Sequence, residues 1–212
     1  MNLKTILLLA FCGVTYYVFY GPVRAPLVEA LAPQAGEAGA FPQSLDLLKP
    51  PVQRGVAGDL GSWQAEGFTF TPVARFDVDA RVLSRKDYRF GRYARFCPVD
   101  LALGWGDMSR DEVIDALKIR QDRRFYFWQA REFPIPRRDI ETQSANMHIV
   151  PATPEVLEEL RRVRKGQRVR IGGYLVNVRH ENGARWQTST TREDTGAGAC
   201  EIIFVTRLEQ VM

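Results

Sequence analysis

Hydrophobic and polar side chains alternate between residues 73 and 82, and this alternation predicts a β-strand. The apolar positions are Phe76, Val78, Ala80 and Val82, and the charged positions between them are Arg75, Asp77, Asp79 and Arg81. A period of two places successive side chains on opposite faces of a strand. We therefore expect one face of this strand to be buried and its charged face to be exposed to solvent.

Apolar residues also recur with helical spacing at two places, each after a capping signal. Ser109 stands three residues before Glu112, the spacing of a capping box. Thr153 precedes Pro154, a residue favoured in the first helical turn, and Gly166 follows the second apolar stripe. The apolar positions behind the caps are Val113, Ile114 and Leu117, then Val156, Leu157, Leu160 and Val163. The pattern predicts two short helices.

The remaining patterned segments favour strands. Residues 125–128, 147–150, 168–178, 184–191 and 201–208 are rich in β-branched, aromatic or alternating positions. Gly172 and Gly173 indicate a bend within one strand, and Asn182-Gly183 is a hairpin turn signal. Strands, helix and strands in this order predict an α+β fold with a strongly bent, β-rich C-terminal half. This architecture resembles OB-like barrels, and the analogy by itself transfers no function.

The N-terminus carries an uncharged apolar run at residues 5–20, which predicts insertion into a membrane. We divide the chain into a transmembrane anchor or uncleaved signal at 1–22, a Pro/Ala/Gly-rich tether at 23–67 and a single head domain at 68–212. A cleaved signal and a buried core helix are the alternatives for the first segment. The flanking charges weakly favour a single-pass protein whose head lies in the periplasm or otherwise outside the cytoplasm.

Composition adds little about partners. The chain has 212 residues, 45% of them hydrophobic, and a formal net charge of +4. That length suits one domain core beside the anchor. The mild positive charge would suit nucleic acid, anionic lipid or a cell-wall polymer equally well, and so it selects none of them.

Two cysteines in the head are candidates for a disulfide. Cys97 and Cys200 form an even pair, which is compatible with one bond in an exported domain. The alternative is two unrelated buried thiols.

A first set of residues is a candidate binding surface. Trp105 lies between two glycines, so its indole either walls a pocket or fills the edge of the core. Trp186 is a second exposed-ring candidate. A basic run joins a helix end to the next strand and consists of Arg161, Arg162, Arg164, Lys165, Arg168 and Arg170. These residues favour a non-enzymatic binding or assembly module that contacts a partner protein or an anionic surface. The alternative is a solvated face paired with nearby glutamates.

A second set of residues could form a polar site, and it supports a hydrolase of unrecognised type as the alternative function. The members are Asp100, Asn146, His148, Arg192 and Asp194. The hypothesis requires that all five line one pocket. No nucleophile motif and no metal-ligand spacing is present, so the sequence predicts no catalytic residue, no metal and no cofactor.

The tetrapeptide Asp-Thr-Gly-Ala at residues 194–197 resembles the segment around the active aspartate of retroviral-type aspartic proteases. The resemblance covers four residues only, and the polar residues before it replace the apolar strand of that family. We therefore predict a polar loop here rather than a protease. Nucleic-acid binding by an OB-like domain is a third hypothesis, which is disfavoured if the head lies outside the cytoplasm.

Overall fold

The computed structural model describes residues 39–56, 60–196 and 198–211. The predicted anchor at 1–22 and the first part of the predicted tether lie outside these ranges. No helix within the described ranges is long and apolar enough to cross a membrane.

The described chain forms ten strands and three α-helices, and it is a β-rich α+β fold. The strands are β1 (Val52–Gly55), β2 (Trp63–Ala65), β3 (Phe68–Asp87), β4 (Val99–Gly104), β5 (Leu117–Asp122), β6 (Phe125–Ala130), β7 (Ser144–Pro151), β8 (Arg168–His180), β9 (Arg185–Trp186) and β10 (Glu201–Val211). The helices are α1 (Asp111–Asp115), α2 (Arg137–Thr142) and α3 (Pro154–Arg162), with 3₁₀ turns at Arg92–Arg95 and Gly106–Ser109.

Five strands of a large mixed sheet close into a ring in the order β3, β4, β7, β10 and β8, and β8 pairs back to β3. The β7–β10 pair is parallel and the other four pairs are antiparallel. The long strand β3 makes closure possible, because residues 68–81 pair with β8 and residues 81–87 pair with β4. The apolar face that the alternation of β3 predicts therefore lines the interior of a closed barrel, where Phe76, Val78 and Ala80 are fully buried.

The charged face of β3 is not open to solvent, contrary to our expectation. Asp77 and Asp79 are both buried. Arg207 on β10 contacts Asp77 at 2.7 Å, and Arg168 and Arg170 on β8 contact Asp79 at 2.8 and 3.0 Å. The neighbouring strands cover the carboxylates with arginines, an arrangement that the pattern of one strand cannot reveal.

Both predicted helices are present, but only one of the two predicted caps is, and Leu117 lies on β5 rather than on the first helix. Thr153 caps α3 by accepting a hydrogen bond from the Val156 N–H at 3.3 Å, and Pro154 is the first helical residue, as predicted. The capping box at Ser109 is absent: α1 begins at Asp111, and Ser109 Oγ instead donates to the Gly106 carbonyl at 2.6 Å. Helix α2 is a third helix that the sequence patterns did not indicate.

Strands β1 and β2 precede residue 68 and pair with β3, so the sheet includes residues from the segment that we expected to be tether. Strand β4 was also missed. All six of its residues are buried, and a strand buried on both faces shows no alternation of hydrophobic and polar positions. The bend predicted at Gly172 and Gly173 falls on β8, where a Cβ atom at Gly173 would lie 2.0 Å from the Phe204 carbonyl oxygen.

Candidate functional site

The hairpin formed by β5 and β6 lies against the outside of the barrel and carries the candidate site. Its two turn residues, Arg123 and Arg124, have φ values of 48° and 71°. Positive φ at both central residues is the geometry of a type I′ turn, which suits the twist of a two-residue hairpin. The turn directs the side chain of Arg124 back toward the barrel.

Arg124 fixes the hairpin to the barrel through several contacts. Its guanidinium lies 2.7 Å from Asp100 Oδ1, donates to the Cys97 carbonyl at 2.9 Å and stacks 3.6 Å from the centre of the Tyr88 ring. Its backbone N–H donates to the Tyr88 hydroxyl at 2.9 Å. Asn146 on β7 donates to the Arg124 carbonyl at 3.0 Å. These contacts hold the turn of the hairpin against the barrel, and the apolar side chains Leu117, Ile119 and Trp128 pack the rest of the hairpin.

Asp100 and His148 form a hydrogen-bonded pair beneath Arg124. The two residues are directly opposite each other in β4 and β7, and they point away from the barrel interior because Leu101 and Met147 point into it. His148 Nδ1 lies 2.9 Å from Asp100 Oδ1, and both side chains are buried. Burial would raise the pKa of Asp100, but the hydrogen bond and charge of His148 and the charge of Arg124 outweigh it and lower the pKa. Asp100 is therefore a carboxylate that orients the imidazole ring.

Cys97 joins this cluster, and its thiol, an Asp100 oxygen and a His148 nitrogen lie within 4.8 Å of one another. These are residue types that bind transition metals. However, Arg124 Nη1 lies 3.3 Å from Cys97 Sγ and already supplies the positive charge beside Asp100. Burial, and then the charge of Asp100, raise the pKa of the Cys97 thiol far above its ordinary value. Among the described residues, the cluster forms a network centred on Arg124.

A groove of about 670 Å³ runs along β6. All six residues of β6 line it. Residues 144–146 of β7 line the far side, and residues 194–196, 199 and 200 of the loop before β10 complete it. Successive side chains of a strand point to opposite faces, so six consecutive lining residues indicate that the groove follows the backbone edge of the strand. Among the described strands, β6 pairs with β5 alone, and its other edge faces the groove.

Aromatic side chains are exposed along this groove. The exposed fractions of Phe125, Phe127 and Phe133 are 42%, 38% and 56%. Trp128 is half-buried in the wall and packs edge-on against Phe133, with ring centres 6.1 Å apart. Large exposed apolar side chains that cluster in one concavity indicate an interaction site.

A second pocket, of about 400 Å³, adjoins the groove and shares Phe125 and Cys200 with it. Its other lining residues are Arg124, His148, Arg185, Trp186, Gln187 and Gly198. The Trp186 ring lies over His148, with ring centres 4.4 Å apart. The described residues that line this pocket include two arginines and a histidine and no carboxylate.

The five residues of the predicted polar site do not line one pocket. Asp100, Asn146 and His148 surround Arg124, and Asp194 lines the groove, where its Oδ2 accepts a hydrogen bond from Ser189 at 2.8 Å. Arg192 instead lies at the end of the barrel, over the Phe76 ring, and contacts Glu201 at 2.6 Å. Burial raises the pKa of Glu201 to about 8, although the charge of Arg192 acts in the opposite direction.

The residues predicted as a binding surface are placed differently from our expectation. Trp105 is 1% exposed and fills the barrel core, so its indole cannot contact a partner. Most of the basic run is engaged within the protein: Arg161 pairs with Glu158, Arg162 with Glu159, and Arg168 and Arg170 with Asp79, while Arg164 donates to two backbone carbonyls. Lys165 is exposed. Only Trp186, half-buried above His148, belongs to the pockets described here.

The candidate disulfide is absent and its alternative applies, because Cys97 and Cys200 are free thiols. Each sulfur contacts a different part of Arg124: Cys97 Sγ faces the guanidinium, and Cys200 Sγ lies 3.9 Å from the backbone carbonyl. Burial raises the pKa of Cys200 to about 12. Disulfide formation requires a thiolate, and both sites disfavour one.

Sequence patterns missed Arg124, Tyr88 and Glu201, because no local motif marks them. Arg124 follows another arginine in an ordinary polar segment, and Glu201 opens an apolar strand. The hairpin itself had a signal, since Leu117 and Ile119 alternate with polar residues before a two-residue turn and an aromatic strand.

The described part of the chain is therefore a closed β-barrel of mixed strand direction. It carries a hairpin, and one edge of this hairpin is open beside a groove. Comparison with protein-family models, with curated proteins and with solved structures found no match to this chain.

Proposed function

We propose that this protein is a non-catalytic binding or assembly module that captures an extended segment of a partner protein along the open edge of β6. The observation that supports the proposal is the groove. It follows the edge of β6 that is not paired with β5, and exposed aromatic side chains line it. An exposed strand edge presents unpaired N–H and C=O groups, and peptide recognition by strand addition uses these groups for affinity and the flanking side-chain pockets for specificity.

The register of the hairpin identifies the backbone groups that a peptide would meet. Asp122 and Phe125 flank the two-residue turn, so their N–H and C=O groups bond to each other. Hydrogen-bonded and non-hydrogen-bonded pairs alternate along an antiparallel ladder. The backbone groups of Tyr126, Trp128 and Ala130 therefore point to the groove, and Phe125 and Phe127 lie beside the peptide.

The proposal extends to the rest of the chain, which we describe as an OB-like barrel attached to a membrane anchor. The ring order of the five barrel strands, numbered along the chain, is 1-2-3-5-4 and resembles that of OB-like barrels. The uncharged run at 5–20 supports membrane attachment, and we propose that the head faces the periplasm or another space outside the cytoplasm. The basic run contributes little to an anionic-surface function, since most of its charges are paired.

Single-stranded nucleic acid is a less favoured occupant, although OB-like barrels commonly bind it. Phosphate-binding grooves are lined by positive charge, and bases stack on aromatic rings. This groove has aromatic rings and Arg137, but the carboxylates of Glu141 and Asp194 also line it and would repel a phosphate backbone.

The proposal is tested with peptides selected against the full-length chain from a random-peptide library displayed with free C-termini. The best peptide is then synthesised with N-methyl groups on alternate residues, in each of the two possible registers. Strand addition predicts that one register abolishes binding and the other leaves it unchanged, because only every second N–H of the peptide faces β6. Equal effects of the two registers would contradict strand addition.

Two variants, each replacing an exposed apolar side chain with serine, test whether the peptide binds in the groove. We expect Phe127→Ser to weaken peptide binding about tenfold or more, since an aromatic contact in a pocket is typical of a binding hot spot. Leu48→Ser removes an exposed apolar side chain elsewhere and should have no effect on peptide affinity. Loss of affinity in both variants would indicate nonspecific hydrophobic binding.

A hydrolase is the second candidate, and the Asp100–His148 pair is the observation that favours it. A carboxylate that orients one imidazole nitrogen leaves the other available as a general base toward the second pocket. The test is hydrolysis of p-nitrophenyl acetate and p-nitrophenyl phosphate by the full-length chain. Turnover that His148→Ala abolishes and His180→Ala preserves would establish catalysis and overturn the non-catalytic proposal.

A further inference from the structure

The second pocket lies at one end of the β6 groove, and the direction in which a peptide adds to β6 determines which of its ends enters this pocket. The two concavities share Phe125, the first residue of β6, and Cys200. The opposite end of the groove lies at Ala130. A peptide that adds antiparallel to β6 therefore begins near Ala130 and reaches the second pocket with its C-terminal end.

The charges of this pocket suit an anion. Arg124, His148 and Arg185 line it, and no carboxylate is among its described lining residues. Asp100 lies behind them, and its charge is balanced by Arg124 at 2.7 Å. Arg185 is exposed and lies between this pocket and a neighbouring one that Arg179 also lines. Arginine is well suited to carboxylate recognition, because its planar guanidinium can donate two parallel hydrogen bonds.

His148 supplies the second contact. Asp100 engages Nδ1, so Nε2 is the ring nitrogen left for a ligand in the pocket. When the ring is protonated, both nitrogens donate, one to Asp100 and the other to an anion. The half-buried Trp186 ring shields the imidazole from solvent on one side and strengthens any charge interaction there.

We propose that the second pocket binds the α-carboxylate of a partner's C-terminus, so that the β6 groove captures C-terminal segments in particular. This inference rests on the proposed function, since it names the kind of peptide that the groove takes. It adds a recognition element of its own: the end of the chain is bound by Arg185 and His148, while the preceding residues pair with β6.

The first test uses acetate, the smallest carboxylate probe, and needs no peptide. The chain has two histidines, so the ring signals of His148 and His180 are resolved by NMR and assigned with one variant of each. We expect acetate to shift the His148 signals in a saturable way and to leave the His180 signals unchanged. Absence of a saturable shift at His148, or equal shifts at both rings, would contradict carboxylate binding in the second pocket.

A charge-matched pair of variants tests the role of Arg185. Arg179 pairs with Arg185 across β8 and β9 and is also exposed, but it does not line the second pocket. We expect Arg185→Gln to weaken acetate binding about tenfold or more, the effect of losing a charged hydrogen bond, and Arg179→Gln to leave it unchanged. Equal losses in the two variants would show that only general surface charge attracts the anion, and would contradict the assignment.

The peptide selected against the groove separates this inference from the proposed function. Its C-terminal amide should bind about tenfold or more weakly than the free acid. If the amide binds as well as the acid while N-methylation in one register still abolishes binding, the carboxylate pocket is wrong and the groove proposal stands. If N-methylation has no effect either, the groove proposal fails. Stronger competition by inorganic phosphate than by acetate would assign the pocket to a phosphate group and overturn the α-carboxylate assignment.

Discussion

At the scale of single residues, Arg124 is the side chain on which the candidate site depends. It neutralises the buried Asp100, contacts the Cys97 thiol and carbonyl, and stacks on Tyr88. Burial would lower the pKa of Arg124, but the negative groups around it outweigh burial and raise the pKa. The guanidinium therefore stays charged and joins the hairpin turn to residues between 88 and 100.

We expect Arg124→Gln to lower the free energy of unfolding by about 3–5 kcal/mol, because it removes the charged partner of the buried Asp100 carboxylate and leaves His148 alone to bond it. Urea unfolding of the full-length chain measures this loss. Arg123→Gln is the matched control: it changes the adjacent turn residue, whose side chain is 90% exposed, and should alter stability by less than about 0.5 kcal/mol. A similar loss in both variants would contradict the assigned role of Arg124.

Glu201 gives a prediction of pH dependence. Its pKa is raised from an ordinary value of 4.5 to about 8, chiefly by burial. Between these two values the folded chain holds a proton that the unfolded chain has lost, so stability falls as pH rises through this window and this group contributes no further loss above about pH 8. The slope from one such group is at most about 1.4 kcal/mol per pH unit.

Glu201→Gln should therefore flatten the dependence of unfolding free energy on pH between about 5 and 8. Glu209→Gln, on the same strand but exposed, should leave the slope as it is. The carboxylates of Asp79 and Asp100 do not contribute to this slope between about pH 5 and 8, because their pKa values are lowered. An unchanged slope in Glu201→Gln would show that Glu201 is ionised in the folded protein at neutral pH.

At the scale of elements, the closure of the barrel depends on close contact between β8 and β10. Gly173 lies opposite Val205 in this pair, and a Cβ atom there would come within 2.0 Å of a backbone oxygen on β10. Backbone cannot move aside as a flexible side chain can. Gly173 is therefore required by proximity between strands rather than by an unusual φ angle.

We expect Gly173→Ala to destabilise the protein by about 1–3 kcal/mol or more, the range for overpacking in a well-packed interior. Chemical unfolding would measure the change. Gly55→Ala on β1 is the control, since no atom lies within 4 Å of the added Cβ, and it should be nearly neutral. If Gly173→Ala were equally neutral, the two strands would be further apart than described here.

At the scale of the whole molecule, the barrel accounts for features that separate segments do not explain. Residues from β3, β4, β7, β8 and β10 contribute to one interior, and the outer faces of β4 and β7 carry the polar cluster. The hairpin, the second pocket and the loop at 194–200 meet only because the ring closes. The proposed function thus belongs to the assembled barrel and not to any one motif.

The proposed orientation of the whole chain gives a further prediction. If residues 5–20 anchor the protein with its head outside the cytoplasm, a C-terminal fusion to alkaline phosphatase should be active, because that enzyme matures only after export. A fusion to green fluorescent protein at the same position should be dark after the same export route. The reverse pair of results would place the head in the cytoplasm and restore nucleic acid as a candidate ligand.

Features that depend on neighbours along the chain could be predicted from the sequence. The alternation in β3, the cap of α3 by Thr153 and the β-rich α+β class all follow from local periodicity and backbone chemistry. Strand pairing, in contrast, accounts for the burial of Asp77 and Asp79, the core position of Trp105, the free thiols of Cys97 and Cys200, and the cluster of Arg124, Asp100 and His148. Those outcomes depend on which strands lie side by side, and strand pairing joins residues far apart in sequence whose partners no local pattern specifies.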